Sequence, residues 1–315
     1  SSTTPQQTTT TTTTPTTPTG YNGLPPIKHV FLIVLGDQGY ASTFGSKDKY
    51  LTKTLAKQGE LFPNYYGVTG GELANEIALI SGQGPTPQTQ AGCPTFANFI
   101  STGTGKFGQL LGSGCVYPAQ ADTIANQLKA SKRGEWKAYI EAMNEGPSSH
   151  KQMCRHPSVG ATDPNQSASA KVAYVTWRNP FVYFHALLGA ACKKDDAPLT
   201  QLAKDLKTTS TTPAFSYIAP SPCDDGSDQP CKPGAPAGLA PAEKFLKTTV
   251  PEIEKSPAYK ADGMIAITFD QAPQSGPHAD STGCSSCDPQ TYPNLPATAP
   301  TTTTTGTTTS PGTTT

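Results

Sequence analysis

Acidic side chains follow three runs that the sequence predicts as strands. Asp37 comes after "VFLIVL", Asp224, Asp225 and Asp228 come after "FSYIAP", and Asp270 ends "GMIAITFD". Parallel strands bring their carboxyl ends to one edge of a sheet, so these carboxylates are expected to gather there. Clustered carboxylates repel one another unless a hard cation binds them or their pKa values rise. The pattern indicates either a cation site or ordinary acidic loops that face water.

The glycine-rich turn in "GVTGGELANEIALISGQ", residues 67–83, leads into a predicted helix and presents Glu72. A turn of this kind usually presents a nucleophile or cradles an anion. Two unit charges about 4 Å apart cost roughly 4 kcal/mol at a surface-like dielectric, so an ionised Glu72 would repel an incoming anion.

Composition excludes several classes of protein. Twenty-three basic residues balance twenty-three acidic ones, without a basic patch, so nucleic acid is not an expected partner. No apolar run approaches the roughly 18 residues that a membrane span needs. The Thr/Pro-rich ends, 1–24 and 296–315, hold few large apolar side chains and are expected to be disordered arms, open to O-glycosylation. Residues 25–295 are left as one large domain.

Predicted helices and strands alternate along that domain. The alternation predicts a three-layer α/β/α sandwich with a mostly parallel central sheet. Asp122 is the expected cap of one helix, and Pro251 is expected to break or kink another. A further segment, "NPFVYFHALLG", begins at a proline and has a helical character. The predicted strands are 27–35, 136–140, 215–220 and 263–270, and the predicted helices are 50–59, 75–82, 122–134 and 240–259.

Eight cysteines are spread among Gly, Pro and Thr, which is typical of disulfides formed in an oxidising compartment. Pairing of neighbours in chain order is the simplest connectivity, although eight cysteines allow about 105. We therefore expect a secreted or cell-surface protein. The disulfide candidates are Cys93, Cys115, Cys154, Cys192, Cys223, Cys231, Cys284 and Cys287.

Six ordered blocks resemble one known family. They are "IKHVFLIVLGDQGYASTFG", "LFPNYYGVTGGELANEIALISGQ", "TIANQLKASKRGEWKAYIE", "CRHPSVGATDPNQSA", "RNPFVYFHALL" and "SPAYKADGMIAITFDQA". Together they resemble the bacterial phosphoesterase family of phospholipase C and acid-phosphatase members, within the alkaline-phosphatase superfamily. The resemblance spans about residues 27–290. It implies an α/β/α sandwich, a divalent metal site, and a Ser or Thr that attacks phosphorus.

The chain departs from that family's pattern at the functional positions. Where the family has Glu-Asn after the first strand, this sequence has Gly36 and Asp37; the late Asp-Glu pair reads Asp270 and Gln271. The nucleophile position holds Glu72, although the nearby Asn75 is retained. The middle motif "DDGSD" lacks the family's histidine, and a terminal "Asn-His-Tyr-Ser" block does not occur. These substitutions predict loss of catalysis, because the nucleophile carries most of the rate. Glu72 could itself attack phosphorus, as aspartyl-phosphate enzymes do, but nothing else in the sequence supports that route.

Two interpretations of the altered site follow from the resemblance. In the first, Asp37, Glu72, Asp270 and Gln271 hold a divalent cation, with Ca²⁺ or Mg²⁺ preferred to Zn²⁺ because the donors are oxygens. Further candidate ligands are Asp225, Asp228 and His278. In the second, the pocket holds no metal and a Lys or Arg neutralises the acids. Glu72 and Asn75 occupy the catalytic positions in either case.

Three functions remain open at this point. The first is a secreted phosphoesterase-like pseudoenzyme that acts as a binding or surface protein, its partner a cell-envelope component or a phosphate-bearing ligand. The second is an active metal-dependent phosphoric ester hydrolase of acid-phosphatase or phospholipase C type. The third is a purely structural extracellular module.

Overall fold

A computed structural model of the protein describes residues 23–48, 50–147, 153–169, 171–276, 278–280 and 292–296. The two predicted Thr-rich arms lie outside these ranges, apart from residues 23, 24 and 296. Cys284 and Cys287 also lie outside the described residues.

The centre of the fold is a five-stranded sheet in which every neighbouring pair of strands is parallel. Its strands are β1 His29–Leu35, β4 Trp136–Ile140, β5 Asp196–Pro198, β6 Phe215–Ala219 and β7 Gly263–Phe269. The strand order is β5-β4-β6-β1-β7, so β1 lies between β6 and β7. A separate antiparallel hairpin joins β2 Ile100–Thr104 to β3 Leu110–Ser113.

Helices surround this sheet. They are α1 Tyr40–Phe44, α2 Glu72–Ser81, α3 Pro87–Gln90, α4 Ile124–Ser131, α5 Ala190–Asp195, α6 Leu202–Asp205, α7 Leu239–Lys255 and α8 Pro257–Asp262. Short 3₁₀ turns occupy 55–57, 176–178, 180–183 and 199–201, and a π-helical turn occupies 50–54. None of the helices in the described ranges is both long enough and apolar enough to cross a bilayer.

Two hydrophobic cores lie on opposite faces of the sheet. Successive side chains of a strand point to opposite faces, so Phe31, Ile33 and Leu35 pack in one core while Val34 packs in the other. Helices α2 and α4 cover the Val34 face, and α7 covers the other. Each fully buried Leu, Ile or Phe contributes about 1.5–3 kcal/mol relative to exposure. The structure therefore confirms the predicted α/β sandwich with a mostly parallel sheet.

Three local predictions need correction. Thr123, not Asp122, caps α4: its backbone N–H donates to Asn126 Oδ1 at 3.0 Å and its hydroxyl accepts from the Asn126 N–H. The predicted helix 50–59 is one π-helical turn and one 3₁₀ turn. Pro251 does not break α7, which runs on through it from Leu239 to Lys255 with Val250 and Ile253 buried on either side.

The cysteines pair in chain order where they are described. Disulfides join Cys93 to Cys115, Cys154 to Cys192, and Cys223 to Cys231. Three disulfides are typical of proteins that fold in an oxidising compartment, which is compatible with secretion.

Candidate functional site

Acidic groups meet at the carboxyl edge of the sheet. Because β6, β1 and β7 are adjacent and parallel, the residues after them lie together: Asp225, Asp37 and Asp270. Helix α2 begins at Glu72 beside them. Burial raises the pKa of Glu72 to about 8, and the negative charges of Asp225 and Asp37 add to that shift. The structure thus brings together the acids that the sequence placed on separate segments.

A buried arginine lies among these acids. Arg178 has a side chain that is 1 % exposed, and its Nη1 lies 2.5 Å from Oδ2 of Asp270 and 2.6 Å from Oε1 of Glu76. Its Nε lies 3.8 Å from Oδ2 of Asp225. A guanidinium within 3.8 Å of three carboxylates neutralises part of their charge. The arrangement is the one that the second interpretation of the site requires.

The arginine is also bound to the sheet itself. Its Nη2 donates to the carbonyl of Val34 at 2.5 Å, and its Nε donates to the carbonyl of Pro220 at 3.1 Å. Val34 belongs to β1, and Pro220 directly follows β6. These two hydrogen bonds fix the guanidinium at the carboxyl ends of β1 and β6, in addition to its contacts with the carboxylates.

The site holds more carboxyl groups than the single guanidinium of Arg178 can neutralise. Burial raises the pKa of Glu76 to about 7, while Arg178 acts in the opposite direction. Burial, and next the charge of Glu72, raises the pKa of Asp270 well above its ordinary value. For Asp37, burial and next the charge of Asp228 raise the pKa to about 6. One guanidinium therefore cannot keep every carboxyl group ionised at neutral pH.

Asn75 holds the glycine-rich turn in place. Its Oδ1 accepts from the N–H of Val68 at 2.8 Å and of Thr69 at 3.0 Å, and its Nδ2 donates to the Thr69 carbonyl at 2.8 Å. A Cβ at Gly67 would lie 3.0 Å from Asn75 Nδ2, so the absence of a side chain there allows the close approach. Asn75, predicted at a catalytic position, is thereby engaged with backbone.

Gly36 leaves room for the carboxyl group of Asp225. A Cβ at position 36 would lie 2.6 Å from Cγ and Oδ2 of Asp225. The Gly36 N–H also donates to the Asp225 carbonyl at 2.9 Å, and Ser227 N–H donates to Asp225 Oδ1 at 2.8 Å. Asp225 is fully buried, so it has no alternative position at the surface.

The remaining predicted ligands lie at the outer side of the cluster. Asp228 accepts from Gln38 Nε2 at 2.7 Å through Oδ1, and its Oδ2 lies 2.8 Å from Nδ1 of the exposed His278. These two residues form a pair with each other. The side chain of Gln271 lies beside Asp37 and opposes the rise in the Asp37 pKa.

In the described ranges, no three of the predicted acidic and histidine ligands bring one ligand atom each within 4.8 Å of one another. Cations held by oxygen atoms at about 2.3–2.6 Å need ligand atoms within roughly 5 Å of one another. Across the described ranges, one group of Asp, Glu, His or Cys residues has its ligand atoms within 4.8 Å of one another. It consists of Cys154, Cys192 and Asp196. It is a possible metal-binding group, but Cys154 and Cys192 are joined in a disulfide, which leaves no thiolate for a metal.

Asp196 is the buried acid of that group. Burial raises its pKa to about 7, and its Oδ2 accepts from Asn179 Nδ2 at 2.9 Å. The group lies at the β5 edge of the sheet, away from the acids that follow β1, β6 and β7.

Sequence reasoning did not identify Glu76 or Arg178 as site residues. Glu76 lies in the otherwise apolar run "LANEIALI", and Arg178 lies in the largely apolar run "AYVTWRNPFVYF". A charged residue inside an apolar segment is costly to bury unless it is paired. That isolation is the signal that could have marked both residues as partners of other charged groups.

A broad groove of about 1530 Å³ opens beside the site. Its walls include exposed aromatic side chains of the loop between the π-helical turn and α2, and side chains of β7, which forms one edge of the sheet. Tyr65 and Tyr66 belong to this loop and are 63 % and 51 % exposed. The groove gives solvent access to the region next to the acids.

The fold and the site define an α/β sandwich protein with an arginine set into an acidic cluster. No protein-family model matches the chain, and no curated protein matches it. These comparisons give no support to the phosphoesterase resemblance, which stays a prediction from the sequence blocks.

Proposed function

We propose that this protein is a secreted or cell-surface binding protein with a phosphoesterase-like fold, and that it does not hydrolyse phosphate esters. The observation that carries the proposal is the position of Arg178. It engages Asp270, a candidate metal ligand, at 2.5 Å and Glu76 at 2.6 Å, so a cationic side chain occupies a carboxylate that a catalytic metal would need. Metal-assisted attack on phosphorus needs an open metal site and an activated hydroxyl.

The first residue of α2 supports the same conclusion. Glu72 begins this helix. The family resemblance gives a Ser or Thr nucleophile this position. Its pKa of about 8 leaves it largely protonated at neutral pH, because burial and neighbouring acids disfavour its charge. A protonated carboxyl group is a poor nucleophile, and an ionised one repels phosphate.

The hydrolysis of a chromogenic phosphate monoester, with each of several divalent metals, tests this proposal. We expect the wild type to match Glu72→Ala and the control Glu252→Ala, which changes an exposed glutamate of α7. Metal-dependent turnover that Glu72→Ala abolishes and Glu252→Ala retains would establish an active hydrolase instead.

A divalent cation is the second candidate for what the site binds. Buried oxygens without a hydrogen bond of good geometry, Asp37 Oδ1 and Gln271 Oε1 among the described atoms, favour it, and an all-oxygen donor set prefers Ca²⁺ or Mg²⁺ to Zn²⁺. The distances between the acids argue against a cation, because no three of them in the described ranges have ligand atoms within 4.8 Å of one another. We expect the melting temperature to be indifferent to millimolar Ca²⁺; a rise with concentration, following mass action, would establish the cation site.

A further inference from the structure

The two edge strands of the central sheet differ in how they are protected. β5, Asp196–Pro198, is three residues long, begins with an acid and ends with a proline. Short length, a charged residue and a proline all discourage a further strand from pairing with an edge. β7, Gly263–Phe269, is seven residues long and contains neither a charged residue nor a proline. One edge of the sheet therefore carries these protective features and the other does not.

The backbone of β7 has hydrogen-bonding groups that point away from the sheet. The N–H of Asp270, the residue after β7, donates to the Leu35 carbonyl of β1 at 2.8 Å. Backbone groups of successive residues point to opposite sides of a strand, so those of Ile265 and Ile267 face away from β1. Within the described ranges, β1 is the one strand that pairs with β7, and these outward groups have no partner. An unpaired row of N–H and C=O groups is a template for another strand.

The surface beside this edge is apolar. Met264 of β7 is 44 % exposed, and the loop before α2 exposes Phe62, Tyr65 and Tyr66 by more than half. That loop and residues 265–269 of β7 line the same broad groove. Exposed apolar surface that is contiguous in this way marks sites of protein association.

The charges at the two ends of β7 favour a second copy of this chain as the partner. The exposed Lys28 and Lys260 lie at the amino end, since the N–H of Lys28 donates to the carbonyl of Asp262 at 3.1 Å. The carboxyl end lies beside the surplus of carboxyl groups, among them Asp37 and Asp228. Antiparallel pairing about a two-fold axis places the basic end of each copy against the acidic end of the other. The uncharged strand puts no like charges opposite each other.

We propose that two copies of this protein pair through their β7 strands in antiparallel orientation, which joins two five-stranded sheets into one. The outward N–H and C=O groups of one copy meet the C=O and N–H groups of the other, because an antiparallel edge is complementary to itself. The inference goes beyond the proposed function. It does not depend on that function, since the bonds between the copies are made by the β7 backbone rather than by the acidic site.

Sedimentation equilibrium of the full chain tests the pairing of copies. We expect a reversible equilibrium between monomer and dimer at micromolar concentrations. A protein that stays monomeric at every concentration up to its limit of solubility would overturn the proposal.

A proline substitution tests whether the β7 edge forms the interface. Ile267→Pro removes an outward N–H and leaves the hydrogen bonds to β1, because Ile267 faces away from that strand. We expect it to weaken the dimer by roughly tenfold or more. The matched control Ile267→Ala also shortens the side chain but keeps the N–H, and it should still dimerise. Equal association of the two variants, each with the circular dichroism of the wild type, would overturn the assignment of this edge.

Hydrogen exchange in the wild type tests the same edge without any substitution. The amides of Ile265 and Ile267 should gain protection as the concentration rises, whereas those of Ala266 and Thr268, which face β1, should be protected throughout. Protection of Ile265 and Ile267 in the monomer would show that another part of this chain covers the edge. Their rapid exchange in a dimer would place the interface elsewhere. Either result would overturn the proposal.

Discussion

Nη1 of Arg178 lies 2.5 Å from Oδ2 of Asp270, and this contact joins the 3₁₀ turn at 176–178 to the carboxyl end of β7. Both side chains are almost completely buried. Taking two such charges out of water is costly, so each is tolerated only because the other is present. Loss of either charge should therefore destabilise this edge of the sheet as well as change the net charge of the site.

Removal of the arginine should destabilise the fold strongly. Arg178→Met leaves Glu76 and Asp270 buried without a counter-charge, and we expect the free energy of unfolding to fall by about 3–5 kcal/mol. Urea unfolding measures the change. Arg133→Met, at an exposed arginine, is the control and should stay within about 0.5 kcal/mol of wild type. A difference of under about 1 kcal/mol for Arg178→Met would contradict the role given to the pair.

Stability should fall as the pH rises from about 5 to about 8. The folded-state pKa values of Asp37, Glu76 and Glu72 are raised to about 6, 7 and 8, so the folded protein binds more protons than the unfolded chain in this range. Stability is then fully present below the unfolded pKa values and is lost as the pH passes through the folded ones. Because one pKa unit corresponds to about 1.4 kcal/mol, we expect urea titrations to show a loss of several kcal/mol across this range.

Glu72→Gln should flatten that pH dependence, because glutamine does not titrate. The control Glu252→Gln, at an exposed position on α7, should keep the slope of the wild type. An increase of stability with pH in the wild type would show that these carboxyl groups are ionised in the folded protein.

A side chain at position 36 should be poorly tolerated. Gly36→Ala would place a Cβ 2.6 Å from the buried carboxyl group of Asp225, and we expect a loss of about 1–3 kcal/mol. The matched control is Gly59→Ala, since a Cβ there meets nothing within 4 Å. Thermal unfolding of both variants measures the difference, and equal melting temperatures would argue against the steric conflict.

Asn75→Ala should loosen the glycine-rich turn. It removes the two acceptor contacts to Val68 and Thr69 and the donor contact to the Thr69 carbonyl, at a cost of about 1–3 kcal/mol. Hydrogen exchange at the amides of Val68 and Thr69 should speed up. Asn64→Ala, at an exposed asparagine, should leave these amides unchanged; if Asn75→Ala did the same, the side chain would not be what holds the turn.

The oxidised protein should hold no stoichiometric zinc at Cys154, Cys192 and Asp196. Their ligand atoms lie within 4.8 Å of one another, but the disulfide removes both thiolates. Elemental analysis of the folded, oxidised protein measures this. One equivalent of zinc that is lost in Asp196→Asn would show that the metal coexists with the disulfide. Asp195→Asn, at the neighbouring acid, is the matched control.

The sequence was sufficient for the framework of the sheet. β1, β6 and β7 were predicted because each is a short run rich in apolar residues, and β4 was predicted because its residues alternate in polarity after Gly134. β5 was missed because its three residues, Asp196–Pro198, carry no such run. The hairpin of β2 and β3 was missed because β2 is exposed throughout and contains glycine, so neither face gives a pattern.

The acidic half of the site was also predictable, since parallel strands bring their ends to one edge. The arginine was not, because its partners are distant along the chain: Glu76 is 102 residues away and Asp270 is 92. Propensity and periodicity describe local structure, and they carry no information about which acid a buried arginine will meet.

The shared space of Gly36 and Asp225 has an evolutionary consequence. If the chain descends from a phosphoesterase, restoring glutamate at position 36 would drive that side chain into a fully buried carboxyl group. The reversal needs a second mutation at 225 before the first becomes tolerable. Under that descent, the buried carboxyl group of Asp225 would act as a steric barrier to reversion by any single change at position 36.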